Sequence, residues 1–151
     1  MGETLNSELK IIVFQLKEKE YAIPVEQVRS IEKIQHITRV PGTASYIKGV
    51  INLRGVVTPI VDLRDRFGLN EGDYLDHTRI IIAVLDGLDV GLIVDAANDV
   101  IDISKDSIEP PPEIVSGTEV EYINGVVKLG KRLLILLDLE KVLNEKIVEG
   151  Y

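Results

Sequence analysis

Apolar residues in this chain come in short runs of Ile, Val and Leu, each ended by glycine, proline or charged residues. Ile11-Ile12-Val13-Phe14, then Lys17-Glu18-Lys19-Glu20, then Tyr21-Ala22-Ile23 predicts a hairpin with a charged tip. Tyr46 to Leu53 and Val56 to Val61, parted at Gly55, predict a second strand pair. Ile80 to Leu85 and Val90 to Val94 flank Asp86-Gly87, a dipeptide that accepts the positive φ angles of a tight hairpin turn. Gly125 to Leu129 and Leu133 to Leu137, around Gly130, predict a fourth pair. Helical signals are few. Asp62 can cap a turn of helix through Phe67 that stops at Gly68, and Asp138 can cap a longer C-terminal helix through Ile147. Pro24 suits the first turn of a short helix through Ile31, with Val25, Val28 and Ile31 on one face.

The chain also repeats itself. Shifted by 69 residues, Lys10-Ile11-Ile12-Val13 lies over Arg79-Ile80-Ile81-Ile82, Ile31 over Val100, and Pro41 over Pro110. Beyond the prolines the shift becomes 76: Gly49-Val50-Ile51 lies over Gly125-Val126-Val127, and Asp62-Leu63 over Asp138-Leu139. The seven extra residues are expected in a loop between Pro110 and Glu121. The chain therefore reads as two copies of one β-rich unit. Short strands with frequent turns favour small barrels, which leave no sheet edge exposed.

Composition narrows the function. The 151 residues are 45% hydrophobic, enough for a packed core, and carry a net charge of −8. That acidity opposes binding to nucleic-acid phosphates or to an anionic membrane leaflet. Without cysteine there are no disulfides, no thiolate chemistry and no Cys-based zinc site, and an intracellular address is favoured. The first ten residues do not form a secretory signal, and the longest apolar runs are far shorter than a membrane span.

Catalytic signatures do not stand out. His36 and His77 are the only histidines and have no metal-ligand spacing. No serine lies in a Gly-x-Ser-x-Gly elbow, and no glycine-rich phosphate loop is present. Asp62, Asp95 and Asp138 follow apolar strands, a place where catalytic carboxylates occur, but their repeat-matched positions favour capping. The expectation is a non-enzymatic binding module with no catalytic residue, no metal and no cofactor.

The block Tyr46-Ile47-Lys48-Gly49-Val50-Ile51-Asn52-Leu53-Arg54-Gly55-Val56-Val57-Thr58-Pro59-Ile60-Val61-Asp62-Leu63-Arg64 closely resembles the central block of the CheW family of bacterial chemotaxis coupling proteins. Similar stretches flank it: Ile11 to Val28, Thr38-Arg39-Val40-Pro41, Val90 to Asp95, Ile108 to Pro111 and Leu133 to Leu143. The resemblance implies a mainly β fold of two five-stranded SH3-like barrels, with short helices and a C-terminal helix. It places one domain over 8–147, with lobes near 10–76 and 77–147 and a strand exchange between them left open. Residues 1–7 and 148–151 are expected to be flexible ends. The homologous block uses up the chain, so a stand-alone protein is expected.

The implied function is an adaptor that joins chemoreceptor cytoplasmic tips to the regulatory domain of the histidine kinase CheA. Such a protein would be cytoplasmic and recruited to membrane-associated receptor arrays, without inserting in the membrane and without binding nucleic acid. A scaffold for another kinase pathway is one alternative, and a small-ligand barrel or hydrolase with converging carboxylates is another. A receptor hairpin would lie in a groove where matched positions of the two copies meet. The expected lining is Val25, Val28, Ile31, Ala97, Asn98 and Val100, although Val25 and Ile31 read equally well as core. Arg54 aligns with the family's coupling arginine, and Glu32 and Lys33 are weaker rim candidates. The kinase contact is expected end to end between barrels, with the second lobe's loops favoured.

Overall fold

The structure is a computed structural model that describes residues 7–69, 72–111 and 121–143, with only the backbone of Asn98. Ten strands lie within those residues. They are β1 (Glu8–Leu16), β2 (Lys19–Pro24), β3 (Val28–Lys33), β4 (Ile47–Leu53), β5 (Val56–Asp62), β6 (Arg79–Leu85), β7 (Leu88–Val94), β8 (Ala96–Ser104), β9 (Ile123–Leu129) and β10 (Arg132–Leu137). Two one-turn helices, α1 (Leu63–Arg66) and α2 (Leu139–Val142), follow β5 and β10. None of the described helices is long and apolar enough to cross a membrane.

The strands form two five-stranded sheets, ordered β8-β1-β2-β10-β9 and β3-β6-β7-β5-β4. We call them the first and second sheet. Each draws on both copies of the repeat. The first sheet combines hairpin β1-β2 with β8, β9 and β10, and the second combines hairpin β6-β7 with β3, β4 and β5. The halves 10–76 and 77–147 thus each contribute to both sheets, and what passes between them is a two-strand hairpin.

The register carries the duplication residue by residue. Ile12 faces Ile23 in the first sheet and Ile81 faces Leu92 in the second, a shift of 69 on both strands. Gly49 faces Ile60 and Gly125 faces Leu136, a shift of 76. The parallel pairs match as well, Ile60 with Gly91 and Leu136 with Ala22.

Each sheet's two edges are drawn together by one bridge. The chain after β3 returns so that Thr38 pairs with Val50 of β4, and the chain after β8 returns so that Glu109 pairs with Val126 of β9. Both bridges need close backbone approach beside a glycine. A Cβ on Gly49 would lie 2.1 Å from the Thr38 carbonyl oxygen, and one on Gly125 would lie 3.0 Å from that of Glu109. These bridges correct the repeat alignment. Glu109 is 71 residues beyond Thr38, so the shift has already left 69 at the bridge and the match of Pro41 with Pro110 is not kept. Two of the seven extra residues come before Glu109, where a 3-10 turn, Lys105–Ser107, lies in the second copy.

Alternation explains why the runs in β1 and β6 are apolar on both faces. Ile11 and Val13 point to a small core within the first sheet, with Ala22, Val127 and Leu134. Ile80 and Ile82 do the same within the second, with Ile51, Ile60 and Ile93. Ile12, Phe14, Leu16, Ile81 and Ala83 point the other way, into the largest core, which fills the seam between the sheets. Each such side chain taken fully from water contributes about 1.5–3 kcal/mol, so the seam is a structural interior.

The helices begin as expected. Asp62 accepts a hydrogen bond from the Arg64 N–H, and Asp138 from those of Glu140 and Lys141. Phe67 ends α1, with Gly68 at φ +75°. The expected helix from Asp138 through Ile147 is not formed as one run: α2 ends at Val142, where Leu143 leaves the helical conformation at φ −108° and ψ 78°, and Ile147 lies outside the described residues. The expected helix from Pro24 through Ile31 is not formed. Only Val25–Gln27 makes a 3-10 turn, and Val28 onwards is strand β3. β6 offers an edge to pair with, and a bulge at Arg29 brings Val28 and Ile31, three residues apart, to the same face of β3. Asp95 caps no helix, because β8 starts at the next residue. The expected loop falls mostly at 112–120, outside the described residues, as do the ends 1–6 and 148–151, although Ser7 is described and its carbonyl accepts from the Lys105 N–H at 2.6 Å.

Candidate functional site

The crossing chain builds a surface at the mouth of the seam. After β2 in the first sheet, the Val25–Gln27 turn carries the chain to β3 in the second. After β7 in the second sheet, the single residue Asp95 carries it to β8 in the first. Strands β3 and β8 are therefore matched edge strands flanking one seam.

Register decides which way their side chains point, since directly opposed residues of an antiparallel pair share a face. Val28 is opposite Ala83 and Ile31 is opposite Ile81. Ala97 is opposite Phe14 and Val100 is opposite Ile12. All four partners belong to the seam core, so the four expected groove residues lie on seam-facing sides of the two edge strands. Val25 and Val28 are half-buried against that core. Ile31 is 41% exposed and Val100 60%, so both leave apolar surface open to water. Asn98 sits at the bulge of β8, matched by Arg29 at the bulge of β3.

Arg54 lies elsewhere, in the two-residue turn between β4 and β5. Its φ is +51°, in the left-handed region that a residue with a Cβ rarely adopts. Gly55 follows at φ +85°, and its N–H donates to Asn52 Oδ1. The Arg54 side chain is largely exposed and reaches Glu32 Oε2 at 3.4 Å. Glu32 is opposite Ile80, which belongs to the second sheet's own core, so Glu32 goes with Arg54 and not with the seam. Lys33, opposite Arg79, is exposed.

Arg54 also lines a cavity of about 470 Å³ at the end of the second sheet, with Arg29, Asp89 and the apolar Val56, Val57 and Leu88. The first sheet has a matched cavity of about 600 Å³, where Lys19, Arg132 and Leu133 stand in the places of Leu88, Val56 and Val57. There Arg132 binds Glu20 through two nitrogens and Asp99 through one, at 2.9–3.0 Å. Those hydrogen bonds, to Glu20 first, raise the Arg132 pKa further above its usual value. The two ends thus share a shape and differ in chemistry. The second sheet's end exposes Val56, Val57 and Leu88. The first sheet's end carries a paired arginine beside the exposed Leu133.

Sequence reasoning missed the groups that fix the crossings. Arg64 is buried, and its Nε lies 3.1 Å from Asp95 Oδ1. Asp95 Oδ2 accepts from the Lys17 N–H at 2.6 Å, and the Asp95 N–H donates to the Gln15 carbonyl at 2.9 Å. A buried arginine with one carboxylate partner was the available signal, but it appears only when α1 and β8 are seen together. His36 and His77 are exposed. Among the described residues, no three metal-type ligands gather.

Comparison with known proteins converges. The model of the CheW-like domain family matches residues 10–146. The chemotaxis protein CheW of Bacillus subtilis (strain 168) is 52% identical over 137 residues, covering 91% of this chain and 88% of that protein. The Klebsiella aerogenes chemotaxis protein CheW is 38% identical over 145 residues, covering 96% and 86%. Among solved structures, the scaffolding protein TtCheW from Thermoanaerobacter tengcongensis superposes with a TM-score of 0.84 at 36% identity, over 92% of this chain and 94% of that one.

Proposed function

Because the chain belongs to the CheW family of chemotaxis adaptors, we propose that it couples chemoreceptor cytoplasmic tips to the histidine kinase CheA, in the cytoplasm and at receptor arrays. The observation that supports this reading most is the seam mouth. Ile31 and Val100, equivalent residues on the two flanking edge strands, stay exposed on seam-facing sides where a buried partner would be expected. An amphipathic receptor hairpin has the apolar stripe to cover them.

The kinase contact in this reading is the end of the second sheet around Arg54, Val56, Val57 and Leu88. This differs from the expected emphasis on loops of the later half, since Arg54 lies in the first copy of the repeat. Two features favour it. Its exposed apolar residues Val56, Val57 and Leu88 all line the one cavity that Arg54 also borders. Arg54 also leads the two-residue turn at this end, in the left-handed conformation such turns share with Lys17 and Asp86, and its largely exposed side chain stands at the cavity's border. No chemical step is needed. The adaptor would transmit a signal only through contacts that differ between kinase-on and kinase-off assemblies.

The test is reconstitution. Purified protein should pull down CheA and, separately, a soluble chemoreceptor cytoplasmic fragment, and should join the two in one complex. Capture of neither by the folded protein would remove the coupling role and favour service to a different kinase pathway.

A further inference from the structure

The two chain crossings that frame the seam are built differently. The crossing into β3 is a 3-10 turn whose N-terminal end has no side-chain cap, and Gln27 Oε1 within it is buried without a hydrogen-bond partner. Glu26, the residue matched to Asp95, is exposed. The crossing into β8 is one residue held from three directions. Asp95 is bound through its N–H to Gln15, through Oδ2 to the Lys17 N–H, and through Oδ1 to Arg64. Arg64 is buried in α1 and is fixed in turn by the Gly72 carbonyl at 3.2 Å. The Lys17 amide belongs to the β1-β2 turn, so Asp95 ties the second sheet's helix to the first sheet's hairpin.

Ala97 and Val100 follow two and five residues after Asp95 on the same strand. The ladder that carries Val100 along β1 begins beside this crossing, with Ala96 opposite Gln15 and Ala97 opposite Phe14. We infer that Asp95, held by Arg64, is a positioning residue for the β8 wall of the seam groove: it sets affinity for an apolar helical partner without belonging to the apolar contact. This rests on the reading of the seam as the receptor groove.

The charge matters because the Arg64 guanidinium is buried, so its carboxylate partner is not replaceable by a neutral group at equal cost. Asp95→Asn keeps an oxygen for the Lys17 amide but removes the charge facing Arg64. Arg64→Lys keeps the charge but loses the fork that reaches Asp95 and Gly72 together.

The test measures binding of a fluorescent soluble chemoreceptor cytoplasmic fragment to the full chain, beside amide chemical shifts of the free protein. Asp95→Asn is expected to weaken binding about tenfold and to move the amide signals of Ala97 and Val100, leaving those of Val56 and Val57 in place. Asp95→Glu should recover part of the affinity. Should Asp95→Asn unfold, Arg64→Lys carries the same expectation in both readouts. Wild-type affinity in the folded variant, or weakened binding with unmoved β8 signals, overturns the inference. Ile31→Asp and Val100→Asp serve as controls. If neither lowers affinity, the groove reading itself has failed, and any effect of Asp95 then has another origin.

Discussion

Arg66 Nε donates a 2.9 Å hydrogen bond to the carbonyl oxygen of Val142, the residue 76 positions on that holds the same place in the second copy of the unit. The pseudo-equivalent helices α1 and α2 are thereby joined end to end across the seam. The guanidinium also lies 4.7 Å from the ring centroids of both Tyr46 and Tyr122, themselves equivalent residues. One cation thus occupies the middle of a duplicated site that neither copy could complete alone. The carbonyl it binds is an orphan at the end of α2.

Replacing this residue should loosen the seam. Arg66→Ala loses two cation–π contacts and a hydrogen bond to a helix-end carbonyl, together worth about 1.5–3 kcal/mol for a partly buried group. Urea unfolding should show that loss, and Arg66→Lys should recover less than half of it, since lysine lacks the planar fork that stacks between two rings. Wild-type stability for Arg66→Ala would mean that the two sheets are held by the apolar core alone.

The edge bridges make a second, graded prediction. Gly49 has φ +141° and a Cβ there would overlap the Thr38 carbonyl, whereas a Cβ on Gly125 would overlap a side-chain methyl, Ile108 Cγ2, and only crowd the Glu109 carbonyl. Gly49→Ala should destabilise by about 3 kcal/mol or more, combining backbone strain with displacement of the bridge. Gly125→Ala should cost less, roughly 1–3 kcal/mol, because it adds no positive-φ strain and its hardest contact is with a side chain, not with the bridge carbonyl. Equal losses in denaturant titrations would show that the bridges do not have the geometry described.

How far these features could be read from the sequence depends on the range of the interaction behind them. The four hairpins were legible because strand period and turn residues such as Asp86-Gly87 are local. Asp62 and Asp138 were legible as caps for the same reason. Strand β3 was hidden because Pro24 and the three-residue spacing of Val25, Val28 and Ile31 imitate a helix start, and only the partner β6 decides otherwise. Strand β8 was hidden because Ala96-Ala97-Asn98-Asp99 has little strand character, yet it pairs with β1 along its length. The repeat located the groove candidates on matched strands, since matched residues of interleaved copies meet at their pseudo-axis. It could not reveal Asp95 with Arg64, a pair that exists in one copy only.

Arg54 offers a case in which stability and binding should move oppositely. Its backbone sits in the left-handed region, which asparagine tolerates better than arginine does. Arg54→Asn should therefore leave stability unchanged or raise it by up to about 1 kcal/mol, since the exposed pair with Glu32 contributes little. The same change should weaken CheA binding about tenfold, or about 1.4 kcal/mol. Thermal melts and a CheA titration on one preparation would decide. A variant that is less stable and still binds CheA fully would reverse the assignment of Arg54 from contact to scaffold.

The groove residues divide into two kinds, and the division can be measured. Val28 and Ala97 are half-buried on the seam core, so Val28→Glu and Ala97→Glu place a carboxylate beside apolar neighbours and should lose stability as well as receptor binding, about 1–3 kcal/mol of the former. Ile31 and Val100 already spend much of their surface in water. A carboxylate at either position meets solvent in the free protein, so Ile31→Asp and Val100→Asp should stay within about 0.5 kcal/mol of wild type, the range usual for surface changes. In a complex the same carboxylate would be covered by the partner's apolar stripe, and affinity for a soluble receptor fragment should fall at least tenfold, about 1.4 kcal/mol. Binding lost at constant stability assigns these two side chains to the interface. Binding lost only in step with stability, across all four variants, would instead mark the seam as interior and move the receptor contact to another face.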